Sequence, residues 1–161
     1  MFAIRARCVD TIEVRSSLDN VRGFFSDIRN FVELMPGVES IFSDTKGVNH
    51  WKIAVQVPLI GDFTQKFAVT QTENAPERIE WMPVSNETDN FLRYSADFLE
   101  RSANTTLVNY LQMVELRRRS AKELHLLAGV AGENMISAEM TKHVAGMIRL
   151  FINKAKEKLE R

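Results

Sequence analysis

The chain has 161 residues, 45% of them hydrophobic and 26% charged, with 21 basic residues balancing 21 acidic ones. That length is one domain's worth and buries roughly 70% of the surface an unfolded chain would expose, so folding requires neither disulfide nor metal. The zero net charge argues against a general nucleic-acid binder, which would carry a basic excess, and the single cysteine, Cys8, excludes an internal disulfide.

Residues 2–14 alternate, with Ile4, Ala6, Cys8, Ile12 and Val14 on one face and Arg5, Arg7, Thr11 and Glu13 on the other. Period two predicts a strand, and Cys8 on its apolar face reads as a small buried hydrophobe. This opening stretch has no continuous apolar run, and no segment approaches the ~20 apolar residues of a membrane helix, so the cytoplasm is the expected compartment. Ser16-Ser17 offers an N-cap to LDNVRGFFSD, where Leu18, Val21, Phe24 and Phe25 fall at helical spacing. Asp27 caps a second short helix, IRNFVELM, which must stop at Pro36 because the residue before a proline is driven out of the helical region.

Strands are then predicted one after another. VESIFSD is followed by VNHWKIAVQV, with Trp51, Ile53, Val55 and Val57 on one face. Residues 58–62 are expected to turn the chain, with Gly61-Asp62 at the tip. DFTQKFAVTQT gathers Phe63, Phe67 and Val69, ENAP turns, and ERIEWMPV puts Ile79 and Trp81 together before Pro83 ends it. After the loop NETDN, NFLRYSADFLE presents Leu92, Tyr94, Ala96 and Phe98. Ser102-Ala103-Asn104 turns into TTLVNYLQMVELR, which is apolar on both faces, so its inward side stays open. Residues 117–134 show no clean period. From 133 to 160 an amphipathic helix is predicted, with Ile136, Met140, Val144, Met147, Ile148, Phe151, Ile152, Ala155 and Leu159 at spacings of three and four. The order defines an α+β chain: a curved antiparallel sheet gripping one long C-terminal helix, with the two short helices after the first strand closing one end.

This order resembles the START / Bet v 1-like (SRPBCC) superfamily, the helix-grip fold of polyketide cyclase/dehydrase-related and lipid-transport proteins, over nearly the whole chain. DNVRGFFSDIRNFVELMPGVESI is similar to that family's helix, Asp, short helix, Pro-Gly, strand segment. VPLIGDFTQKFAV resembles its following hairpin, and LLAGVAGENMISAEMTKHVAGMIRLFINKAKEKL its long-helix region. Within the superfamily the chain looks most like proteins related to the G-type component of carbon monoxide dehydrogenase and like coenzyme Q-binding proteins. It is expected to lack the extended C-terminal region of many of the former, and Val38 stands where the latter often have Cys. The resemblance implies a single domain over 1–161 holding a lipid, isoprenoid quinone or polyketide-like molecule, and it brings no catalytic set to carry over.

The residues themselves show little dedicated chemistry. His50, His125 and His143 form no metal-ligand spacing, and no metal or cofactor is expected. Asp97 and Glu115 read as outward, solvated charges, with Arg93 on the same side as Asp97. There is no nucleophile elbow, P-loop or dinucleotide fingerprint, so no catalytic residue is assigned. Arg117-Arg118-Arg119 with Lys122 is a solvated strand end or a membrane-surface or partner contact. The stronger signal is bulk. Each bulky residue alone reads as plain core and His143 as an edge histidine, but as a set Trp51, Phe67, Trp81, Tyr94 and Phe98 on the sheet and Met140, His143 and Met147 on the helix are the expected ligand-binding residues, Tyr94 and the indoles supplying polar handles. Gly146 costs ~1 kcal/mol mid-helix and makes room either for a ligand or for close strand approach. The leading expectation is binding or transport of a hydrophobic small molecule between sheet and helix. The alternatives are a cyclase/dehydratase-type enzyme working through Tyr94 and His143, and a protein-interaction component without ligand.

Overall fold

The computed structural model describes residues 1–58 and 60–161. Its elements are β1 (Phe2–Val14), α1 (Leu18–Ser26), α2 (Ile28–Leu34), β2 (Val38–Ser43), β3 (Asn49–Val57), β4 (Gly61–Ala75), β5 (Arg78–Pro83), β6 (Asn90–Ser102), β7 (Thr105–Arg118), the single turns α3 (Ala121–Leu124) and α4 (Ala128–Ala131), and α5 (Glu133–Leu159). Among the described residues the strands form one antiparallel sheet in the order β1-β7-β6-β5-β4-β3-β2. α1 and α2 carry the chain from one sheet edge to the other, and α5 returns along the concave face. This is the α+β helix-grip fold, with its curved antiparallel sheet and long C-terminal helix.

The local signals act as their chemistry requires. The Ser17 hydroxyl accepts from the Asn20 N–H at the start of α1, and Asp27 accepts from the Arg29 N–H at the start of α2. Pro36 ends that helix, and Gly37 follows at φ +86. A Cβ on Gly37 would stand 2.7 Å from the Ala54 carbonyl oxygen and 2.9 Å from the Met147 methyl. Its own carbonyl accepts from the Ala54 N–H at 2.7 Å. The Pro-Gly pair is therefore both a helix stop and a backbone dock against β3.

Three expectations shift in detail. Gly61 already pairs with Val57 as the first residue of β4, so Gly61-Asp62 is strand and not the turn tip; Leu59, inside the expected turn, lies outside the described residues. β4 runs on to Ala75, which moves the next turn to Pro76-Glu77. β7 resolves its ambiguity by turning Thr106, Val108, Tyr110, Gln112, Val114 and Leu116 inward. Gln112 tolerates that position because its side-chain oxygen accepts from the Tyr110 hydroxyl at 2.9 Å.

Candidate functional site

α5 has two flanks, and they are built differently. Towards β1 it is stitched to the sheet edge. The Glu133 carboxylate accepts from the Ala3 N–H at 2.9 Å and the Ser137 hydroxyl accepts from the Arg5 N–H at 3.1 Å, while the Thr141 hydroxyl, which donates to the Ser137 carbonyl at 2.7 Å, lies 3.5 Å from the Arg5 carbonyl. The Cys8 thiol donates to the Thr141 carbonyl at 3.8 Å. Glu133, Ser137 and Thr141 are four residues apart and share a helix face. Four helical residues rise ~6 Å and two strand residues ~6.7 Å, so helix side chains meet successive free peptide groups of the edge strand.

Towards β3 the helix stands off. β2 pairs only as far as Val38, opposite Ile53, and the Gly37 carbonyl takes the Ala54 N–H. Alternation along the strand then aims the Gln56 N–H and C=O past the end of β2, towards α5. The gap is a cleft of about 770 Å³. Gly37, Ala54, Val55, Gly146 and Met147 are among its apolar lining, and Glu39, Gln56, Asp62, Thr64, Lys142, His143 and Arg149 make up its polar half. Gln56, Lys142 and His143 also line an adjoining recess of about 510 Å³ beside Val57 and Pro58. A Cβ added at Gly146 would meet nothing within 4 Å among the described residues. Close packing is thus not what this glycine serves; it leaves the cleft open.

Of the expected ligand-binding set, His143 and Met147 line the cleft. Trp51, Phe67, Tyr94, Phe98 and Met140 are buried in the core, and Trp81 is half-buried. Trp51 and Tyr94 are 5.4 Å apart between ring centroids, and Trp81 stacks on Tyr94 at 6.1 Å. Phe31 joins them, 5.4 Å from Trp51 and stacked on Phe151 at 4.7 Å. Met147 belongs to both the core and the cleft lining. The Trp51 Nε1 is buried and has no hydrogen-bond partner among the described residues. Burial pushes the Tyr94 hydroxyl well above its ordinary value, with a smaller push from Tyr110, so it stays a neutral donor. Sequence reasoning had singled out Gly146 and the Pro36-Gly37 corner but missed Ala54 and Gln56. Those two sit on the face of β3 opposite Trp51 and Ile53, and nothing in an alternating strand marks where its neighbour ends.

The remaining polar groups lie elsewhere. His50 Nε2 is 2.9 Å from an Asp44 oxygen, and its ring stacks on exposed Phe42 at 4.7 Å. His125 Nδ1 accepts from the Leu127 N–H. Asp97 and Glu115 are outward and ion-paired: Asp97 with Arg78 at 2.7 Å, Glu115 with Arg5 and Arg117. Arg93 pairs with Glu80 at 2.8 Å. Among the described residues no three His, Cys, Asp or Glu side chains converge as a metal site needs, and no helix is long and apolar enough to cross a membrane.

Sheet and helix together make a helix-grip fold of the START/SRPBCC-like type. Solved structures agree. The di-domain ARO/CYC BexL from the BE-7585A biosynthetic pathway superposes with a TM-score of 0.66 at 16% identity, covering 98% of this chain and 51% of that one. The chain therefore spans about half the length of that protein. The Zhui aromatase/cyclase from Streptomyces sp. R1128 gives 0.63 at 13% identity over 96% of this chain and 95% of that one. A START superfamily protein from Mycobacterium smegmatis gives 0.62 at 13% identity over 96% and 97%. No protein-family model and no curated protein matches the chain.

Proposed function

We propose that the protein binds a hydrophobic small molecule in the cleft between β3 and α5. The observation that carries this reading is Gly146: a mid-helix glycine costs ~1 kcal/mol relative to alanine, and here it lines the cleft with room for a Cβ among the described residues. The ligand's apolar body lies against Val55, Ala54 and Met147. Its polar end meets the Gln56 peptide and His143. Met147 is a pliable boundary to the ring cluster, and a ligand reaching past it would find the unpartnered Trp51 Nε1 and the neutral Tyr94 hydroxyl, with Phe67, Trp81, Phe98 and Met140 as the wall behind. Burying on the order of 300 Å² of ligand at ~25 cal/mol/Å² gives ~7.5 kcal/mol before association costs, which suits a carrier. The shared fold of the aromatase/cyclases supports polyketide-like aromatics as a class to test, and the sequence resemblance adds lipids and isoprenoid quinones.

Native mass spectrometry of the purified protein, with thermal shifts against a panel of quinones and lipids, tests this. A bound species or a ligand-dependent rise in Tm is expected for the wild type and not for Gly146→Phe, which fills the cleft. No bound species and no shift across the panel, or equal shifts in the variant, overturns the reading. The second reading is an enzyme of cyclase or dehydratase type, supported by the shared fold of the aromatase/cyclases and by His143 in the cleft. It requires His143→Ala to abolish turnover of a polyketide-like substrate while leaving its binding intact.

A further inference from the structure

The convex face of the sheet carries a second recess, independent of the cleft. Register across β1, β7 and β6 sets Arg7 opposite Met113 and Met113 opposite Arg93. The next row sets Arg5 opposite Glu115 and Glu115 opposite Phe91. Met82 and Pro83 of β5 complete a groove of about 410 Å³, a volume in the small-molecule range. A sheet face turned to water ordinarily carries polar side chains; this one gathers Met82, Pro83, Phe91 and Met113 between arginines.

The charges do not cancel. Arg5, Arg7 and Arg93 line the groove against one carboxylate, Glu115. Glu115 is shared by Arg5 at 3.3 Å and Arg117 at 2.7 Å, and the Arg117 guanidinium lies 4.2 Å from the Phe91 ring centroid. Glu80 holds Arg93 at 2.8 Å through one terminal nitrogen, while the Arg93 Nε is buried with no partner among the described residues. Arg7 is exposed and stands outside these ion pairs. Counting the flanking Arg117 and Glu80 leaves the positive excess unchanged. Strands lie ~4.8 Å apart, so the Arg7 and Arg93 backbones are ~10 Å apart across Met113, a span over which two long guanidinium side chains converge on one anion.

We propose that this groove binds an amphipathic carboxylate, an acyl or aromatic monoacid. Its apolar part lies on Phe91, Met113, Met82 and Pro83, and its carboxylate is shared by Arg7 and Arg93. The test is methionine-methyl NMR of the full chain titrated with decanoate and, in parallel, with decanol. Met82 and Met113 report the groove, and Met147 reports the cleft. Decanoate is expected to shift Met82 and Met113 saturably, decanol to act about tenfold or more weaker there, and Arg7→Gln to weaken decanoate by about tenfold. Because Arg7 is exposed, its replacement leaves the fold intact, which a thermal melt checks. Gly146→Phe is expected to leave the groove titration unchanged, so failure of the cleft reading and failure of this one are separable. No saturable shift at Met82 and Met113, equal shifts with decanol, or an unchanged affinity in Arg7→Gln overturns the proposal.

Discussion

The two flanks of α5 meet sheet edges of opposite character. On the β1 side, Glu133 and Ser137 accept from the peptide N–H groups of Ala3 and Arg5 and seal the edge. On the β3 side, β2 ends early and Gly146 faces open space, so the same helix leaves a cleft. One helix thus closes a sheet where its side chains match the strand's repeat, and opens it where a glycine removes the side chain that would fill the gap. Closure is a matter of hydrogen-bond register, and the binding space is what register leaves over.

The contrast can be broken most severely from the core side. Phe31 contacts Trp51, Tyr94 and Phe151 in the wall behind the cleft. Phe31→Ala is expected to cost about 3–5 kcal/mol in urea unfolding; a loss near zero would show that the ring cluster does not brace that wall. Gly37→Ala comes next. It places a Cβ at positive φ and 2.7 Å from a backbone oxygen, and is expected to cost about 1–3 kcal/mol. The sealed flank is sharpened by Glu133→Ala, expected to cost about 1–2 kcal/mol and to speed hydrogen exchange at the Ala3 amide. Equal protection in the variant would remove Glu133 from the seal. On the open flank the sign reverses: Gly146→Ala is expected to stabilise by ~1 kcal/mol, because the new methyl meets nothing among the described residues. A destabilised Gly146→Ala would mean that the gap is closed in solution.

The smallest effect is electrostatic and serves as a control remote from both flanks. Burial pushes the Glu80 carboxyl up, but hydrogen bonds from Arg93, Thr72 and Arg78 outweigh it and hold it below its ordinary value of 4.5. A carboxyl lowered on folding contributes stability above its unfolded value and loses it as pH falls through the folded one. Stability is therefore expected to fall below pH 4.5, and Glu80→Gln to flatten part of that fall in pH-dependent melts. The effect is modest, because Arg78, Glu80 and Arg93 are only partly buried and solvent screens their pairs. An unchanged acid limb would remove Glu80 from it.

Much of the architecture was legible because each element carries its own period. Trp51, Ile53, Val55 and Val57 alternate inward as expected, and Ile136 through Ala155 recur as the buried stripe of α5. β7 was not legible alone: Leu107, Leu111 and Met113 make its outer face apolar too, and only pairing with β1 and β6 decides which side faces the core. α3 and α4 were missed because single turns have no amphipathic period, and neither has a side-chain cap. In the cleft, Gly146 was visible as an oddity of a helix and His143 and Met147 as expected ligand contacts, whereas Ala54 and Gln56 look like ordinary strand residues.

The amino-acid sequence by itself determined the element order, the inward faces of most strands, the helix caps and the Pro36-Gly37 stop, because these depend on local dihedral preference and on the side-chain period of each segment. Only the tertiary structure decided where β2 ends relative to β3, which peptide groups of β1 meet α5, and whether Gly146 borders empty space or a packed strand. Those outcomes depend on the spacing between elements distant in the chain, which no local pattern encodes.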